Sequence, residues 1–287
     1  MVSFLTLAFS GGVFWEDRTA DVETLGGLLR PQMLVGLFAA GLAYAIWVVL
    51  ILGCHEMGHY LACRYYGVPA TLPFFLPGPP PIGSFGAVIR IRGRIPHRRA
   101  LFDIAAAGPI AGLAAALPPL MLGLASARPL EIESLAEGGT LFLFGEPILL
   151  LLLHQALVGE SSVAIGMNAL TGAGWVGMLI TSLNLFPVGQ LDGGHAAYAI
   201  SRRAHRVLSR ATLVGLLAVM LIQIVRLEFP TYLVWFAILL WMRDRHPRLL
   251  DESEPVGRGR ALVAMLLVAI FVLTFIAVPV RLVELTP

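Results

Sequence analysis

The sequence predicts an all-α polytopic membrane protein with about six transmembrane helices and one short re-entrant β-like loop. The 287 residues are 57% apolar and only 13% charged, with a mean hydropathy of +0.82, whereas soluble domains are about 45–50% apolar and about 25% charged. Several uncharged segments approach the roughly 20 residues that cross a bilayer as a helix. By contrast, residues 72–90 contain five prolines and three glycines, which a spanning helix does not tolerate.

Composition also excludes several classes of protein. The only two cysteines, Cys54 and Cys63, lie in one apolar segment, so the chain is not a disulfide scaffold. The net charge of +2 gives no electrostatic footprint for nucleic acid, and no nucleic-acid partner is predicted. Since no loop is long enough for an additional soluble domain, residues 1–287 are predicted to form a single membrane-embedded domain.

The predicted helices follow from apolar segments and their end signals. The first covers residues 33–66, where Gly67 and Pro69 end it; at 1.5 Å per residue it is about 50 Å long, so it must tilt or protrude from the bilayer. The second covers residues 101–124 and contains Gly108-Pro-Ile-Ala-Gly112, a packing face of small residues. Four further spans are predicted at residues 168–186, 207–225, 229–242 and 261–280.

Two apolar stretches leave their relation to the membrane open. Residues 2–14 are too short to span on length alone, and they resemble a signal segment only in part, because the chain start lacks basic residues. Residues 141–158 contain Glu146, Pro147 and His154 and are predicted to form an interfacial or half-buried helix.

Arginine placement orients the predicted helices. Clusters occur at residues 90–99, 202–210 and 243–260, and the positive-inside rule assigns all three to the cytoplasm. The helix at 33–66 then runs inward and the helix at 101–124 runs outward. The helix at 168–186 returns inward, provided that residues 141–158 do not cross.

Ionisable residues lie where the first apolar helix should carry none. Its uncharged run ends in His55-Glu56-Met57-Gly58-His59. Residues four apart lie about 5–6 Å from each other on one helix face, so His55 and His59 can hold one metal ion. Glu56 lies near enough to act on a water at that metal without ligating it. Because such groups are costly at bilayer depth, the pattern predicts a metal site.

A candidate third ligand follows the predicted helix at 168–186. Pro187 and Gly189 break that helix, and Asp192 stands at the start of a second helical stretch. Asp192 can serve there as a helix N-cap or as a metal ligand, and composition alone leaves both roles open. Topology favours the ligand, because the histidines and Asp192 both fall toward the cytoplasmic ends of inward-running helices.

These residues resemble the site-2 protease family of intramembrane zinc metalloproteases. The strongest part is a His-Glu-x-x-His motif in a membrane helix paired with Asn184-x-x-Pro187-x-x-x-Leu191-Asp192-Gly-Gly194. Further similarity lies at Phe85–Arg90, Arg98–Asp103 and Gly108-Pro109. The resemblance covers about residues 33–200, the expected catalytic core, with C-terminal helices over residues 207–284. The chain resembles a bacterial-type member that lacks the PDZ and CBS modules by which some relatives are regulated, so its regulation stays open.

The resemblance implies a zinc ion bound by His55, His59 and Asp192, with Glu56 as the catalytic base. Asn184 matches the family's asparagine, which steadies the substrate or the oxyanion. The implied function is an intramembrane zinc endopeptidase that hydrolyses peptide bonds of membrane-spanning protein substrates in regulated proteolysis. The expected setting is a multi-pass protein of the bacterial cytoplasmic membrane, with the active site toward the cytoplasm and the lipid bilayer as its other partner.

Alternative functions are a membrane metallohydrolase of a non-peptide substrate and a metal transporter. A transporter should carry carboxylates or histidines at several depths, whereas here they gather at one level. A pseudoenzyme is disfavoured because both histidines, Glu56 and Asp192 are all present. The oligomeric state stays open.

The proline-rich loop at residues 72–90 carries the prediction for substrate binding. Residues 87–91 are predicted to form a short strand. We expect the loop to pair with a locally unwound substrate by strand addition, with contacts from Gly83, Ser84, Phe85 and Gly86. The alternative is a proline-rich surface loop, since prolines limit pairing along a strand edge.

Overall fold

The computed structural model describes residues 1–15, 31–127, 139–159, 167–226, 229–243, 249–253 and 255–285. The helices in these ranges are α1 (Val2–Phe14), α2 (Pro31–Ala40), α3 (Leu42–Tyr65), α4 (Arg98–Ala125), α5 (Ile148–Val158), α6 (Ala169–Asn184), α7 (Asp192–Ile200), α8 (Arg202–Val225), α9 (Leu233–Met242) and α10 (Arg260–Thr274). The strands are β1 (Phe74–Pro77), β2 (Ser84–Val88), β3 (Gly139–Phe144) and β4 (Val280–Leu285).

Apolar helices dominate the described chain. α3, α4 and α8 are long and apolar enough to cross a membrane, while α1, α2, α5, α9 and α10 are apolar but shorter. The predicted all-α polytopic class is confirmed in its coarser part: the described chain is mostly helical and has three helices that could cross a membrane. The total of six crossings stays a prediction, because three of the described helices are long enough to cross on length alone.

The prediction of one continuous helix over residues 33–66 is wrong at Gly41, where α2 ends and α3 begins. A Cβ atom at Gly41 would lie 1.8 Å from the carbonyl oxygen of Ala8, and one at Gly12 would lie 2.1 Å from that of Leu37. α1 therefore crosses the junction between α2 and α3, and the backbones are in contact there. Residues 2–14, whose placement the sequence left open, form a helix packed on this break.

α1 also supports the proline-rich loop, which folds into a hairpin. β1 and β2 pair antiparallel, with Phe75 opposite Ala87. The Ser3 hydroxyl donates to the Phe75 carbonyl oxygen at 2.9 Å, and the Thr6 hydroxyl donates to that of Gly83 at 2.7 Å. The predicted strand at residues 87–91 begins three residues earlier, at Ser84, because β2 pairs with β1 from that residue onward.

A second sheet, β3 with β4, corrects two predictions. Residues 141–144 belong to β3, so the predicted helix over 141–158 is confined to α5. The predicted span over 261–280 ends at Thr274, because β4 begins at Val280 and pairs antiparallel with β3. This pairing joins segments about 140 residues apart in the chain, and local sequence patterns do not reveal it.

α3, α4 and α6 form the bundle that positions the site. A Cβ atom at Gly58 of α3 would lie 2.5 Å from the Ala107 carbonyl oxygen of α4. A Cβ atom at Gly174 of α6 would lie 2.8 Å from the Leu120 Cβ atom of α4. Close packing of this kind is typical of membrane helices, where small residues allow the backbones to approach.

Arginines from the three sequence clusters meet at one end of this bundle. Glu252 accepts a hydrogen bond from the Arg202 guanidinium at 2.7 Å and lies 3.6 Å from that of Arg98. The Arg202 hydrogen bond holds the pKa of the Glu252 carboxyl below its usual range. Arg260, at the start of α10, forms an ion pair with Asp103 of α4. These pairs fix the C-terminal segment against the start of α4.

Candidate metal centre

Three side chains predicted as ligands meet at one point. His55 and His59 lie one turn apart on α3 and are 3% and 7% exposed, and Asp192 is the first residue of α7. One oxygen of Asp192, Oδ2, lies 3.2 Å from each histidine Nε2 atom, and the two Nε2 atoms are 3.2 Å apart. The helix N-cap is Leu191, and no side-chain cap bond is made there. The geometry thus favours the ligand role of Asp192 over the capping role.

The dimensions of this triangle fit a zinc ion. Zinc bonds of about 2.0–2.1 Å in a tetrahedral site place neighbouring ligand atoms roughly 3.3 Å apart. Two imidazoles and one carboxylate are the donor set of many catalytic zinc sites, which keep the fourth position open. Among the residues that the structure describes, this is the one group of three such side chains close enough to share an ion.

A backbone carbonyl fixes the orientation of His59. Its Nδ1 atom lies 2.7 Å from the carbonyl oxygen of Ile104 on α4. A carbonyl oxygen only accepts, so Nδ1 carries the proton and donates, which leaves the Nε2 lone pair directed at the triangle. This contact does not follow from the sequence, because it depends on which turn of α4 faces α3.

Two glycines of α4 provide the space for the imidazoles. A Cβ atom at Gly108 would lie 2.0 Å from the His59 Nε2 atom, and one at Gly112 would lie 2.8 Å from the His55 Nδ1 atom. From the sequence, both glycines were predicted to serve in helix packing. Their spacing of four residues matches that of the two histidines, and this match is the signal that could have revealed their role.

The segment between α6 and α7 brings Asp192 to the histidines. α6 ends at Asn184, and the chain turns at Gly189, which has a φ of +57°. A Cβ atom at Gly193 would lie 1.9 Å from the Leu185 carbonyl oxygen, so only glycine allows α7 to start against the end of α6. The predicted helix break and the new helix at Asp192 are both confirmed.

Glu56 and Asn184 lie beside the triangle. Glu56 is 7% exposed, and its Oε2 atom accepts a hydrogen bond of 2.8 Å from the backbone N–H of Ile89, just after β2. The Asn184 Nδ2 atom lies 3.4 Å from the His55 Nε2 atom. The structure therefore brings together all five residues that the motifs singled out.

These side chains open onto a cavity of about 250 Å³. Apart from them, its lining consists of Ala87, Val88, Ile89, Ile91, Ile104, Ala105, Gln190, Leu191 and His195. Gln190 is a polar lining residue that the sequence analysis did not consider, because nothing in the motif marks it. The hairpin thus forms one wall of the cavity through the residues at and after the end of β2.

The residues predicted to bind substrate lie slightly earlier in the hairpin. A Cβ atom at Gly83 would lie 2.7 Å from the Ser10 hydroxyl oxygen of α1, and the Ser84 hydroxyl donates to the Leu76 carbonyl oxygen at 2.9 Å. Both residues thus have contacts within the fold. Phe85 is 74% exposed, and Gly86 has open space around it. A role in substrate binding stays a prediction for these four residues.

Comparisons with known proteins find one peptidase family and relatives that are named as metalloproteases. The sequence model of peptidase family M50 matches residues 43–227, which include the whole metal centre. "Probable zinc metalloprotease EGY1, chloroplastic" from Oryza sativa subsp. japonica is 30% identical over 264 residues, covering 90% of this chain and 44% of that protein. "Probable zinc metalloprotease EGY2, chloroplastic" from Arabidopsis thaliana is 38% identical over 163 residues, covering 56% of this chain and 29% of that protein. The chain spans less than half the length of these curated relatives.

Proposed function

The chain belongs to peptidase family M50, the site-2 protease family, and from this premise we propose that it is an intramembrane zinc endopeptidase that cleaves membrane-spanning protein substrates. One observation carries the proposal. His55, His59 and Asp192 form a buried three-atom ligand set, and Glu56 lies beside it on the same cavity. The names of the similar plant proteins, which describe probable zinc metalloproteases, agree with this.

The chemistry follows from these positions. Zinc held by His55, His59 and Asp192 would supply Lewis acidity, which makes a water nucleophilic near neutral pH. Glu56 accepts the proton of the attacking water and passes it to the leaving amide nitrogen. The Asn184 amide donates to the oxyanion that forms on the scissile carbonyl, and loss of such a donor costs about 2.7–4 kcal/mol in other enzymes.

The alternative functions have less support. A metal transporter needs successive metal ligands along a path. Among the described residues there is one group of three possible ligands, and its members lie at a single depth. Glu56 does not belong to that group, so its place at the cavity is best explained by proton transfer. A hydrolase of non-peptide bonds would use the same groups, but the match to a peptidase family favours a peptide substrate.

We also propose six membrane crossings, with α6, α9 and α10 joining the three long helices. Arg98 and Arg202 share Glu252, and Arg206 and Arg243 line one cavity, which supports a common side for the arginine clusters. The positive-inside rule makes that side cytoplasmic, in the bacterial cytoplasmic membrane that we expect for this chain. Ile104, which contacts His59, lies only about 9 Å along α4 from Arg98, so the metal centre lies toward this side.

We propose that the hairpin receives the unwound substrate. β2 leads directly into the cavity wall, and the backbone N–H of Ile89 already makes a hydrogen bond to Glu56. A substrate strand along β2 would therefore pass beside the catalytic carboxylate. The exposed ring of Phe85 at the start of β2 offers apolar contact to a transmembrane segment.

Phe85→Ala should lower kcat/KM for a helical reporter substrate about tenfold, mainly through KM, because it removes apolar contact and no reacting group. The control is Phe74→Ala, which deletes a 60% exposed ring from the neighbouring strand β1. Equal kinetics for the two variants would contradict a specific role of β2. The metal content should stay at the wild-type level in both.

Glu56→Gln should retain the metal and lose cleavage of the same reporter by at least about 100-fold, since general base catalysis contributes roughly that much. The measurement combines metal analysis of the full chain in detergent with the cleavage assay. Cys54→Ala is the matched control, because Cys54 is the neighbouring position and is exposed. Undiminished cleavage by Glu56→Gln would overturn the proposed function.

A further inference from the structure

A small cavity separate from the metal centre is lined mainly by arginine. It lies between α8 and α9, has a volume of about 150 Å³, and its lining consists of Arg206, Ser209, Arg210, Leu213 and Arg243. Two of the arginines belong to α8 and Arg243 directly follows α9, and none of the described lining residues is acidic. We propose that this cavity binds a phosphate group.

The charge distribution of α8 favours an anion here. Arg206 and Arg210 are four residues apart, so their side chains lie on the same helix face and repel each other. They also follow Arg202 and Arg203 in the first turn of α8, so four arginines lie within nine residues of this helix. Arg202 is balanced by Glu252. A phosphate group would balance the pair at the cavity and accept paired hydrogen bonds from guanidinium groups.

The location of the cavity suits a phospholipid head group. α8 is long and apolar enough to cross a membrane, α9 is an apolar neighbour, and the cavity lies at the arginine-rich end of α8. Basic pockets between membrane helices on the cytoplasmic side bind anionic head groups. Free phosphate has the same chemistry, so the experiment must separate the two sources.

Contacts beside the cavity link it to the segment that carries Asp192. The Ser209 hydroxyl donates to the Pro187 carbonyl oxygen at 2.8 Å, and the His205 Nε2 atom lies 3.3 Å from that of Gly189. A Cβ atom at Gly189 would lie 2.7 Å from the Met242 carbonyl oxygen at the end of α9. A phosphate group that joins α8 to this end of α9 therefore braces the turn before Asp192. The inference that the phosphate group braces Asp192 rests on the proposed function of the metal centre.

The test measures binding of phosphatidylglycerol, phosphatidylcholine and inorganic phosphate to the full chain in detergent by native mass spectrometry and thermal shift. Arg206→Gln/Arg210→Gln should weaken phosphatidylglycerol binding roughly thirtyfold, as expected for two arginines at an anionic head group. Arg64→Gln/Arg258→Gln is the control, since it removes two exposed arginines outside the cavity. Arg243→Gln should weaken binding roughly fivefold, and it serves as the test if the double variant does not fold.

Each outcome decides the proposal. Inorganic phosphate that stabilises the wild type but not Arg206→Gln/Arg210→Gln, without selective lipid binding, would identify free phosphate as the ligand. Equal phosphatidylglycerol binding by the two double variants, with no phosphate effect, would overturn the site. Phosphatidylglycerol should also slow metal removal by a chelator in the wild type but not in Arg206→Gln/Arg210→Gln. If the lipid leaves the rate of metal removal from the wild type unchanged, the proposed bracing of Asp192 is wrong. Loss of lipid binding with intact reporter cleavage would leave the proposed function standing.

Discussion

Gly108→Ala should yield a folded chain with little or no bound metal and no detectable peptide cleavage. The added Cβ atom would lie 2.0 Å from the His59 Nε2 atom, and His59 cannot move away without breaking its hydrogen bond to the Ile104 carbonyl oxygen. Gly112→Ala should have a smaller effect, because its Cβ atom would lie 2.8 Å from the His55 Nδ1 atom. Metal analysis of the purified variants and the reporter assay give the two readouts.

Gly215→Ala is the matched control for this prediction. Gly215 lies within α8, and a Cβ atom there meets no neighbour within 4 Å. Alanine favours a helix over glycine by about 1 kcal/mol, so the control should keep its metal content and have a thermal stability equal to or slightly above that of the wild type. A Gly108→Ala chain with full metal content would show that the His59 imidazole does not lie against Gly108.

Gly193→Ala should reduce cleavage by about 100-fold or more, because a displacement of about 1 Å in a catalytic group has effects of that size. Its Cβ atom would lie 1.9 Å from the Leu185 carbonyl oxygen and 2.5 Å from the Leu185 carbonyl carbon. Both are backbone atoms, so the start of α7 must shift and carry Asp192 with it. Metal affinity should fall, while both histidines keep their places on α3.

A metal titration separates this effect from general unfolding. If Asp192 is only displaced, excess zinc should restore part of the metal content of Gly193→Ala, and circular dichroism should show the helix content of the wild type. Gly215→Ala again controls for adding one methyl group to a helix. Cleavage and zinc affinity at wild-type levels would contradict the close contact between α7 and Leu185.

The meeting of His55, His59 and Asp192 is the arrangement that the sequence predicted best. His55 and His59 are linked by helix geometry alone, and Asp192 stands out because a broken helix places a carboxylate at a new helix start. These inferences depend on local spacing, which a single sequence contains. The space at Gly108 and Gly112 depends instead on how α4 is rotated against α3, so the sequence analysis found the glycines but assigned them a different partner.

Other errors have the same origin in contacts between distant segments. Gly41 lies within an unbroken apolar run, and only the backbone of α1 explains the break there. β3 and β4 each lie in or beside apolar segments that suit helices, and their pairing with each other makes them strands. The pairing of β2 with β1 likewise explains why β2 begins at Ser84, three residues before the predicted start.

The hydrogen bond between Glu56 and Ile89 has a consequence for the timing of catalysis. The hairpin that forms the cavity wall and the carboxylate proposed to transfer the proton share one contact. Any movement that separates the hairpin from α3 must release this carboxylate oxygen. Under the proposed function, admission of a polypeptide by such a movement and release of the base would be a single event, and Glu56 would stay restrained while no substrate is bound.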